Sequence, residues 1–299
     1  MSPQVSPALF DRIAPALFVL IWSTGWISAR YAAEDADPLT FLSLRYAFAG
    51  AALTAFALSA GASWPRTARA WGHALVSGVL LHAVYLGGVW WAIRHGLPAS
   101  ISGLLAAIQP ILTAILAPRL IGEPITRRQW AGVLIGLGGL AAVLAPKLAG
   151  LEAGAVAAAL WPLAINAVAM ISVTLGSFYQ KRFLASGDLR TMTAAQYLGA
   201  LLATLPVAVL LESMRIVWTP TIVATMAWSV LALSIGAISL LLLLIRHGAV
   251  ARSAALIYLV PPTVAVEAFL LFGERLAPVQ IAGAALAVLG VALATPRRA

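Results

Sequence analysis

The sequence lacks cysteine altogether and has very little charge, and both shortages narrow what the protein can be. Without thiols it forms no disulfide, uses no cysteine nucleophile and builds no thiolate-ligated metal site. Charged residues make up 10% of the 299 residues and hydrophobic residues 62%, whereas a soluble domain carries roughly 25% charged residues. Because so few charged residues cannot cover a water-facing surface, most of the protein's surface is predicted to face the lipid bilayer.

Patterns that would mark an enzyme or a nucleotide-driven pump are missing as well. The four histidines and ten acidic residues are scattered, and they suggest neither a metal site nor a nucleophile–base pair. No Walker-type glycine loop occurs, so direct use of ATP is not expected. The net charge of +9 comes from single basic residues between apolar runs, which suits anionic lipid headgroups better than nucleic acid. The sequence therefore predicts a protein that is not an enzyme and holds no cofactor or metal.

Long apolar runs are what the sequence has instead. Runs of about 20 apolar residues can each cross ~30 Å of hydrocarbon. Ten of them cover approximately residues 13–31, 39–60, 72–95, 98–120, 128–146, 153–180, 190–211, 221–245, 250–272 and 278–295. The first run has a counterpart in the second half of the chain, so we interpret it as a span and not as a cleaved signal peptide. The expected fold is an all-α integral membrane protein with ten transmembrane helices.

The basic residues predict how these helices are oriented. With both termini in the cytoplasm, 13 of the 19 Lys and Arg residues fall in cytoplasmic segments, 5 fall outside, and one, Arg45, lies within a span. Cytoplasmic segments are enriched in Lys and Arg, so this orientation is favoured. We expect a multi-pass protein of a bacterial inner membrane with both termini cytoplasmic.

The two halves of the sequence resemble each other at an offset of 151–152 residues. The corresponding residues include Ile93-Arg94-His95-Gly96 with 245–248, Arg45-Tyr46 with Gln196-Tyr197, and Glu123 with Glu274. Each half, 1–150 and 151–299, holds five spans, and an odd number makes the second copy enter the membrane from the opposite side. Such inverted repeats favour alternating access around a midplane site. If the symmetry records only a gene duplication, a passive channel is the alternative.

Several motifs resemble those of EamA-type transporters in the drug/metabolite transporter superfamily. The first-span signature is Trp22-Ser23-Thr24-Gly25-Trp26-Ile27-Ser28 followed by Arg30-Tyr31, and the second-span pattern is Pro38-Leu39 with Arg45. The paired blocks are Pro110…Gly122-Glu123…Gln129…Gly132…Gly139 and Pro262…Gly273-Glu274…Gln280…Gly283…Gly290. The resemblance covers the whole chain. The many tryptophans of the chain make it similar to YddG-type aromatic amino-acid exporters. Glu267 departs from the shared pattern.

The resemblance implies ten helices around a central cavity and the export of metabolites or amino acids. The predicted function is therefore secondary transport of small metabolites, above all hydrophobic or aromatic amino acids. The expected partners are this small-molecule substrate and the lipid bilayer, and no nucleic acid. A passive channel and a membrane-embedded enzyme acting on lipid are the alternatives.

Polar and aromatic side chains at mid-span depth are the candidate substrate-binding residues. Ionisable groups inside a membrane tend to face protein or water-filled cavities, and tryptophans away from the span ends do not belong to an interfacial belt. The predicted midplane pocket consists of Trp22, Trp26, His82, Tyr85, Gln109, Trp161, Asn166 and Tyr258. The alternatives are a neutral His82 that bridges two helices and tryptophans that only fill space.

Other features concern movement and packing. Pro110 and the pair Pro261-Pro262 fall in the middles of the fourth and ninth spans, and because proline frees a backbone carbonyl they are predicted hinges unless the kinks are static. Arg45 and Glu267 each lie about 10 Å below the outer surface. They are predicted to form a gating charge pair, unless each reaches the interface separately. Small-residue faces in the fifth and tenth spans predict close helix packing, or the surface of a weak homo-oligomer.

Overall fold

The structure, a computed structural model, describes residues 7–121, 126–148, 153–185, 187–237, 240 and 259–294. Six of its helical segments are long and apolar enough to cross a membrane by length and composition. These are Ile13–Asp35, Pro38–Ser59, Ala68–Arg94, Arg127–Pro146, Leu160–Phe183 and Leu189–Leu211. Shorter apolar helices cover Pro220–Gly236, Val260–Phe272 and Pro278–Leu293. The described ranges therefore confirm an all-helical fold rich in membrane-spanning segments.

We number the helices in chain order and call the two π-helical segments π1 and π2. The first half contains α1 Pro7–Asp35, α2 Pro38–Ser59, α3 Ala68–Gly78, π1 Val79–Val84, α4 Tyr85–Arg94, α5 Ala99–Leu105, α6 Ile108–Ile121 and α7 Arg127–Leu148. The second half contains α8 Ala153–Phe183, α9 Leu189–Leu211, α10 Pro220–Trp228, π2 Ser229–Gly236, α11 Val260–Phe272 and α12 Pro278–Ala294.

Local sequence explains where several helices begin and end. The side chain of Thr67 accepts a hydrogen bond from the Ala70 N–H at the start of α3, and Thr219 accepts one from the Ile222 N–H at the start of α10. Such caps satisfy first-turn donors that have no partner within the helix. At the end of α11, Gly273 has a φ of 68°, a left-handed conformation that glycine adopts without strain.

The outward-facing side chains explain why the bundle needs lipid around it. Leu210, Leu211 and Leu270 are 80%, 77% and 71% exposed. A soluble protein rarely exposes a continuous apolar surface of this kind. In a bilayer, by contrast, exposed leucine lies in a solvent of its own polarity.

The helices α7 and α12 pack against each other through their small-residue faces. A Cβ on Gly283 would lie 2.6 Å from the Gly139 carbonyl oxygen, and a Cβ on Gly290 would lie 2.3 Å from the Gly136 nitrogen. Only glycine allows two backbones to approach this closely. The pairing of Gly136 with Gly290 and of Gly139 with Gly283 also shows that the two helices run antiparallel. The small-residue faces thus meet within one chain, and are not left free as the surface of a homo-oligomer.

Each half has a π-helical segment in its third helical stretch. The segment π1 separates α3 from α4, and π2 follows α10, so the two lie about one repeat offset apart in the sequence. Segments of π-helix are rare and frequently mark functional sites. This pair was not predicted from the sequence.

The prolines predicted to be hinges lie at helix starts and not within continuous helices. A break at 106–107 separates α5 from α6, so Pro110 is the third residue of α6. Pro261 and Pro262 are the second and third residues of α11. In the first turn a proline removes no intrahelical hydrogen bond, which is why these helices begin here. The interruption does fall in the middle of the predicted fourth span, and the hinge role stays a prediction.

Candidate functional site

Arg45 is the buried charge at the centre of the candidate site. It lies on α2 and is only 5% exposed. Its Nε donates a hydrogen bond to Ser234 Oγ at 3.2 Å. Ser234 belongs to π2 and in turn donates to the Ser229 carbonyl oxygen at 2.9 Å. The guanidinium thus binds a neutral hydroxyl that is itself held by the π-helical backbone.

Four aromatic side chains lie within the electrostatic reach of Arg45. These are Tyr46, His82, Tyr85 and Tyr197. The rings of His82 and Tyr197 stack with centroids 4.7 Å apart, and Tyr46 Oη donates to the His82 carbonyl oxygen at 2.9 Å. His82 lies in π1, and Ser234, which binds Arg45, lies in π2. We call Arg45 and these four residues the Arg45 cluster.

The repeat-related position in the second half is neutral. Gln196 on α9 corresponds to Arg45, and its Nε2 donates to Ser77 Oγ at 3.0 Å. Ser77 lies in α3, just before π1, as Ser234 lies in π2. In both cases a side chain on the second span of one half donates a hydrogen bond to a serine on the third span of the other half. The kind of contact is therefore repeated, although the two serines are not equivalent positions of the repeat, because the offset places Ser77 opposite Ser229. The charge of Arg45 has no counterpart at Gln196.

Arg45 does not pair with Glu267 in this conformation. Glu267 Oε1 accepts a hydrogen bond from Ser23 Oγ at 2.7 Å, and its Oε2 has no hydrogen-bond partner among the described residues. The helix α1, which carries Ser23, packs against both α2 and α11. Equal depth in the membrane thus does not bring the two side chains together. The ion pairs within the described ranges are Arg30–Glu34 and Arg190–Asp188.

The predicted tryptophans of α1 lie in the interior of the bundle. Trp26 is 4% exposed, and its Nε1 has no hydrogen-bond partner among the described residues. Trp22 is half-buried and its ring lies 5.4 Å from that of Phe18. Thr24, between them, accepts a hydrogen bond from Trp228 Nε1 at 2.8 Å. The helix α1 thus places an indole N–H inside the protein that binds none of the described residues.

The structure separates Trp161 from Asn166, although both lie on α8. Trp161 is 61% exposed, whereas Asn166 is fully buried and accepts a hydrogen bond from Ser102 Oγ at 2.7 Å. Positions five residues apart on a helix point about 140° away from each other, so these two side chains do not face the same pocket in this structure. Gln109 is half-buried in the first turn of α6, away from any contact with the Arg45 cluster that the structure shows. Tyr258 lies outside the described residues.

Two glutamates that were not predicted to be site residues cap helices of the opposite half. Glu274 follows α11 and accepts hydrogen bonds from the Ala99 N–H at 3.2 Å, the Ser100 N–H at 3.0 Å and Ser100 Oγ at 2.6 Å. Its carboxylate therefore satisfies the first backbone donors of α5, which have no partner within that helix. The sequence signal was a Pro-x-Ser at the start of α5, together with the repeated Gly-Glu pair.

Glu212 does the same for α2. It follows α9 and accepts hydrogen bonds from the Leu39 N–H at 2.9 Å, the Thr40 N–H at 2.8 Å and Thr40 Oγ1 at 2.8 Å. The start of α2 reads Pro-Leu-Thr, which matches Pro-Ala-Ser at the start of α5. Both caps thus join a glutamate of the second half to a helix start of the first half.

The two caps lie at the same end of the bundle, which we call the capped face. Tyr31, near the end of α1, packs edge-on against Phe272, near the end of α11, with ring centroids 4.8 Å apart. The Asp37 carboxylate accepts hydrogen bonds from Ser213 Oγ and the Arg215 N–H. Burial raises the pKa of Asp37, but these hydrogen bonds lower it more, so the net pKa lies below the ordinary 3.8. The capped face therefore holds the two halves together.

A cleft of about 370 Å³ lies between α2 and α9 and includes Tyr46 of the Arg45 cluster in its wall. Trp64 and Trp71 line it with parallel rings 5.8 Å apart. Trp71 Nε1 donates to the Pro65 carbonyl oxygen, whereas Trp64 Nε1 has no partner among the described residues. The cleft is thus mostly apolar and adjoins the polar cluster at one residue.

Known proteins resemble this chain over two thirds of its length or more. The model of the EamA-like transporter family matches it twice, over residues 13–145 and 160–295. The uncharacterized inner membrane transporter YedA of Escherichia coli K12 is 28% identical over 293 residues, which cover 96% of this chain and 92% of YedA. The probable terminal-alkyne amino-acid exporter of Streptantibioticus cattleyicolor is 30% identical over 220 residues, 69% of this chain and 67% of its own. A solved crystal structure with 20% identity covers 95% of this chain with a TM-score of 0.65 and shares its fold.

Proposed function

The chain belongs to the EamA-like transporter family, and on that premise we propose that it is a secondary transporter exporting small metabolites, above all hydrophobic or aromatic amino acids. The observation that carries this proposal is the Arg45 cluster, a charged and aromatic group inside an otherwise apolar helical bundle. Ionisable residues at such depth are costly, and they mark substrate or ion pathways. The amino-acid exporter among the relatives supports the substrate class.

The proposed architecture has ten spans in two inverted halves, residues 1–150 and 151–299, with both termini in the cytoplasm of a bacterial cell. Three antiparallel pairings between the halves support it. The start of α2 meets the end of α9 at Glu212, the start of α5 meets the end of α11 at Glu274, and α7 runs antiparallel to α12. Pairings of equivalent helices in opposite directions are what a two-fold axis in the membrane plane produces.

Alternating access is the proposed mechanism, and the capped face is its closed side. The three hydrogen bonds that Glu274 accepts from α5 must break before the halves can separate there. The break at 106–107 lies in the fourth span, and the helix start at Pro261-Pro262 lies in the ninth span. These are the two spans that the Glu274 contact joins. We therefore propose that Pro110, Pro261 and Pro262 mark the hinges of this movement, since few backbone hydrogen bonds resist bending at a helix start.

The proposed pocket lies between the Arg45 cluster and the interior face of α1. Tyr85, His82 and the indoles of Trp22 and Trp26 offer aromatic surface together with polar groups, which suits an amphipathic ligand. Asn166 and Gln109 lie on the α5–α6–α8 side of the bundle and complete the pocket only if that side moves towards α1.

Counterflow in proteoliposomes tests this function. Purified protein is reconstituted, the vesicles are loaded in turn with each of the twenty amino acids, and uptake of the labelled form is followed. Saturable, overshooting uptake for aromatic or large aliphatic amino acids is expected. Uptake that is linear in concentration for every solute would indicate a channel, and chemical conversion of the solute would indicate an enzyme; either result contradicts the proposal.

A further inference from the structure

The positive charge of Arg45 has no acidic counterpart in the part of the chain that the structure describes. Each acidic side chain with a described contact is engaged elsewhere: Glu34 with Arg30, Asp35 with Thr219, Asp37 with Ser213, Asp188 with Arg190, Glu212 with Thr40, Glu267 with Ser23, and Glu274 with Ser100. The neighbouring stretch 238–258 contains no Asp or Glu in its sequence. A buried cation without an anion is strongly disfavoured, so Arg45 is a group that still requires an anionic partner.

Packing alone does not explain why an arginine stands at this position. The equivalent Gln196 makes a contact of the same kind, from a side-chain donor to a serine of the other half, with an uncharged amide. Tyr197 follows Gln196 as Tyr46 follows Arg45, and the two tyrosine rings lie 5.9 Å apart. A glutamine would therefore hold the helices together at position 45 as well. The charge is an addition to a working structural contact, and it calls for a role outside packing.

We propose that Arg45 binds the carboxylate of the exported molecule, and that the aromatic rings of its cluster receive the apolar part. The proposal rests on the proposed transport function and names the chemical class of its substrate: small organic carboxylates with an aromatic or large apolar side chain. Amines and amides of the same shape are then excluded, because they cannot neutralise the guanidinium.

The chemistry of the cluster fits such a ligand. The guanidinium has five N–H donors in a planar fork that matches the two oxygens of a carboxylate. Its hydrogen-bond partner within the described ranges, Ser234, is neutral and does not cancel its charge. The rings of His82 and Tyr197 stack on each other near Arg45, and a phenyl or indole ring that packs against the half-buried His82 would extend this stack. A charge-paired ligand thus replaces the missing anion inside the protein.

The test compares acids with their amides on the reconstituted full chain. L-phenylalanine and L-phenylalaninamide, and then L-tryptophan and its amide, compete against the labelled substrate found in counterflow. For the unmodified protein we expect the acid to inhibit at least about tenfold better than the amide, since hydrogen bonds to charged groups are worth that much. In Arg45→Gln the ratio should fall to within about twofold. Arg45→Lys should retain only part of it, because lysine lacks the bidentate fork.

Arg66→Gln is the matched control. Arg66 lies exposed in the connection between α2 and α3, and the same substitution there should leave the ratio unchanged. A ratio near one in the unmodified protein, or an undiminished ratio in Arg45→Gln, overturns the proposal. If Arg45→Gln does not fold, Arg45→Lys decides: an undiminished ratio there equally overturns it.

Thermal stability separates failure of this inference from failure of the transport function. If no amino acid shows counterflow but L-phenylalanine still raises the melting temperature of the purified protein more than its amide, and only with Arg45 present, the carboxylate site stands and the transport proposal fails. If acids and amides are carried equally well, the transport proposal stands and the carboxylate site fails.

Discussion

Replacing Glu274 with glutamine should open the capped face more often. In the structure Glu274 Oε2 accepts two hydrogen bonds from Ser100, and Oε1 accepts one from the Ala99 N–H. A glutamine whose carbonyl oxygen keeps the two Ser100 bonds turns its NH₂ group towards the Ala99 N–H. The Ala99 N–H then loses its acceptor. The two Ser100 donors keep an acceptor, but it is a neutral amide oxygen and no longer a carboxylate. Hydrogen bonds to charged groups contribute about 1.5–3 kcal/mol each. If one such contribution is lost from the closed state alone, the open population rises roughly 10- to 150-fold.

The absence of cysteine provides the assay, because any introduced thiol is the sole one in the chain. Ser229 is fully buried and its Oγ has no hydrogen-bond partner among the described residues, so Ser229→Cys removes no known contact. Ser229 lies about 14 Å along the helix axis from Pro220, where α10 begins. A membrane-impermeant maleimide applied to intact cells should therefore label this thiol slowly in the parent background and at least tenfold faster with Glu274→Gln.

Two other glutamates calibrate this experiment. Glu34→Gln changes an exposed residue paired with Arg30 and should leave the labelling rate at the parent value. Glu212→Gln should have a smaller effect than Glu274→Gln, because the α2–α9 contact is also held at its other end, where Thr191 Oγ1 donates to the Ser63 carbonyl oxygen. If Glu274→Gln labels no faster than Glu34→Gln, the cap does not control the closed side and the reasoning is refuted.

The remaining predictions concern packing, the two interior charges and topology. Gly290→Ala should lower stability by about 1–3 kcal/mol in thermal unfolding, because the new Cβ would clash with the Gly136 nitrogen. Gly138→Ala is the control: its Cβ would meet nothing within 4 Å, so it should be neutral or stabilise by up to about 1 kcal/mol. Equal losses of stability in the two variants would contradict the packing. Arg45→Gln and Glu267→Gln should have additive effects on stability within about 0.5 kcal/mol, and stronger coupling would show that the two groups meet in another conformation. A C-terminal fusion to an enzyme active only in the periplasm should stay inactive, and full activity would exclude the ten-span arrangement.

Patterns that depend on depth and composition could be read from the sequence. The low charge and long apolar runs predicted an all-helical membrane protein, and the motifs around Trp22, Pro38 and Glu274 predicted the family. The small-residue faces of α7 and α12 predicted close packing, since glycine spacing along a helix directly determines which face allows a near approach. Burial of Arg45 also followed from its place within an apolar run.

Patterns that depend on direction around a helix axis could not be read with the same success. Arg45 and Glu267 were assigned equal depths, but depth does not say which way a side chain points, and Ser234 and Ser23 are the partners instead. Trp161 and Asn166 were assigned to one pocket, although five residues turn a helix by about 140° beyond a full turn. The segments π1 and π2 were not predicted, because a π-helix differs from an α-helix in its hydrogen-bond register and has no distinct amino-acid composition.

The contacts between halves were the hardest to foresee. Glu274 and Glu212 follow helices of the second half, yet their acceptors satisfy donors of α5 and α2 that lie more than 170 positions earlier. Nothing local to a glutamate indicates such a partner. The Pro-x-Ser/Thr at both helix starts identifies a helix N-terminus that requires an acceptor, and only the folded arrangement supplies it.

The central claim is that the protein is a secondary transporter with alternating access, and trans-stimulated efflux tests it most directly. Proteoliposomes containing the purified full chain are loaded with a labelled aromatic amino acid, and its efflux is measured with and without the unlabelled compound outside. The account predicts that external substrate accelerates efflux and that the acceleration saturates, because a loaded carrier returns through the same two conformations. Efflux that ignores external substrate and rises linearly with internal concentration would contradict it.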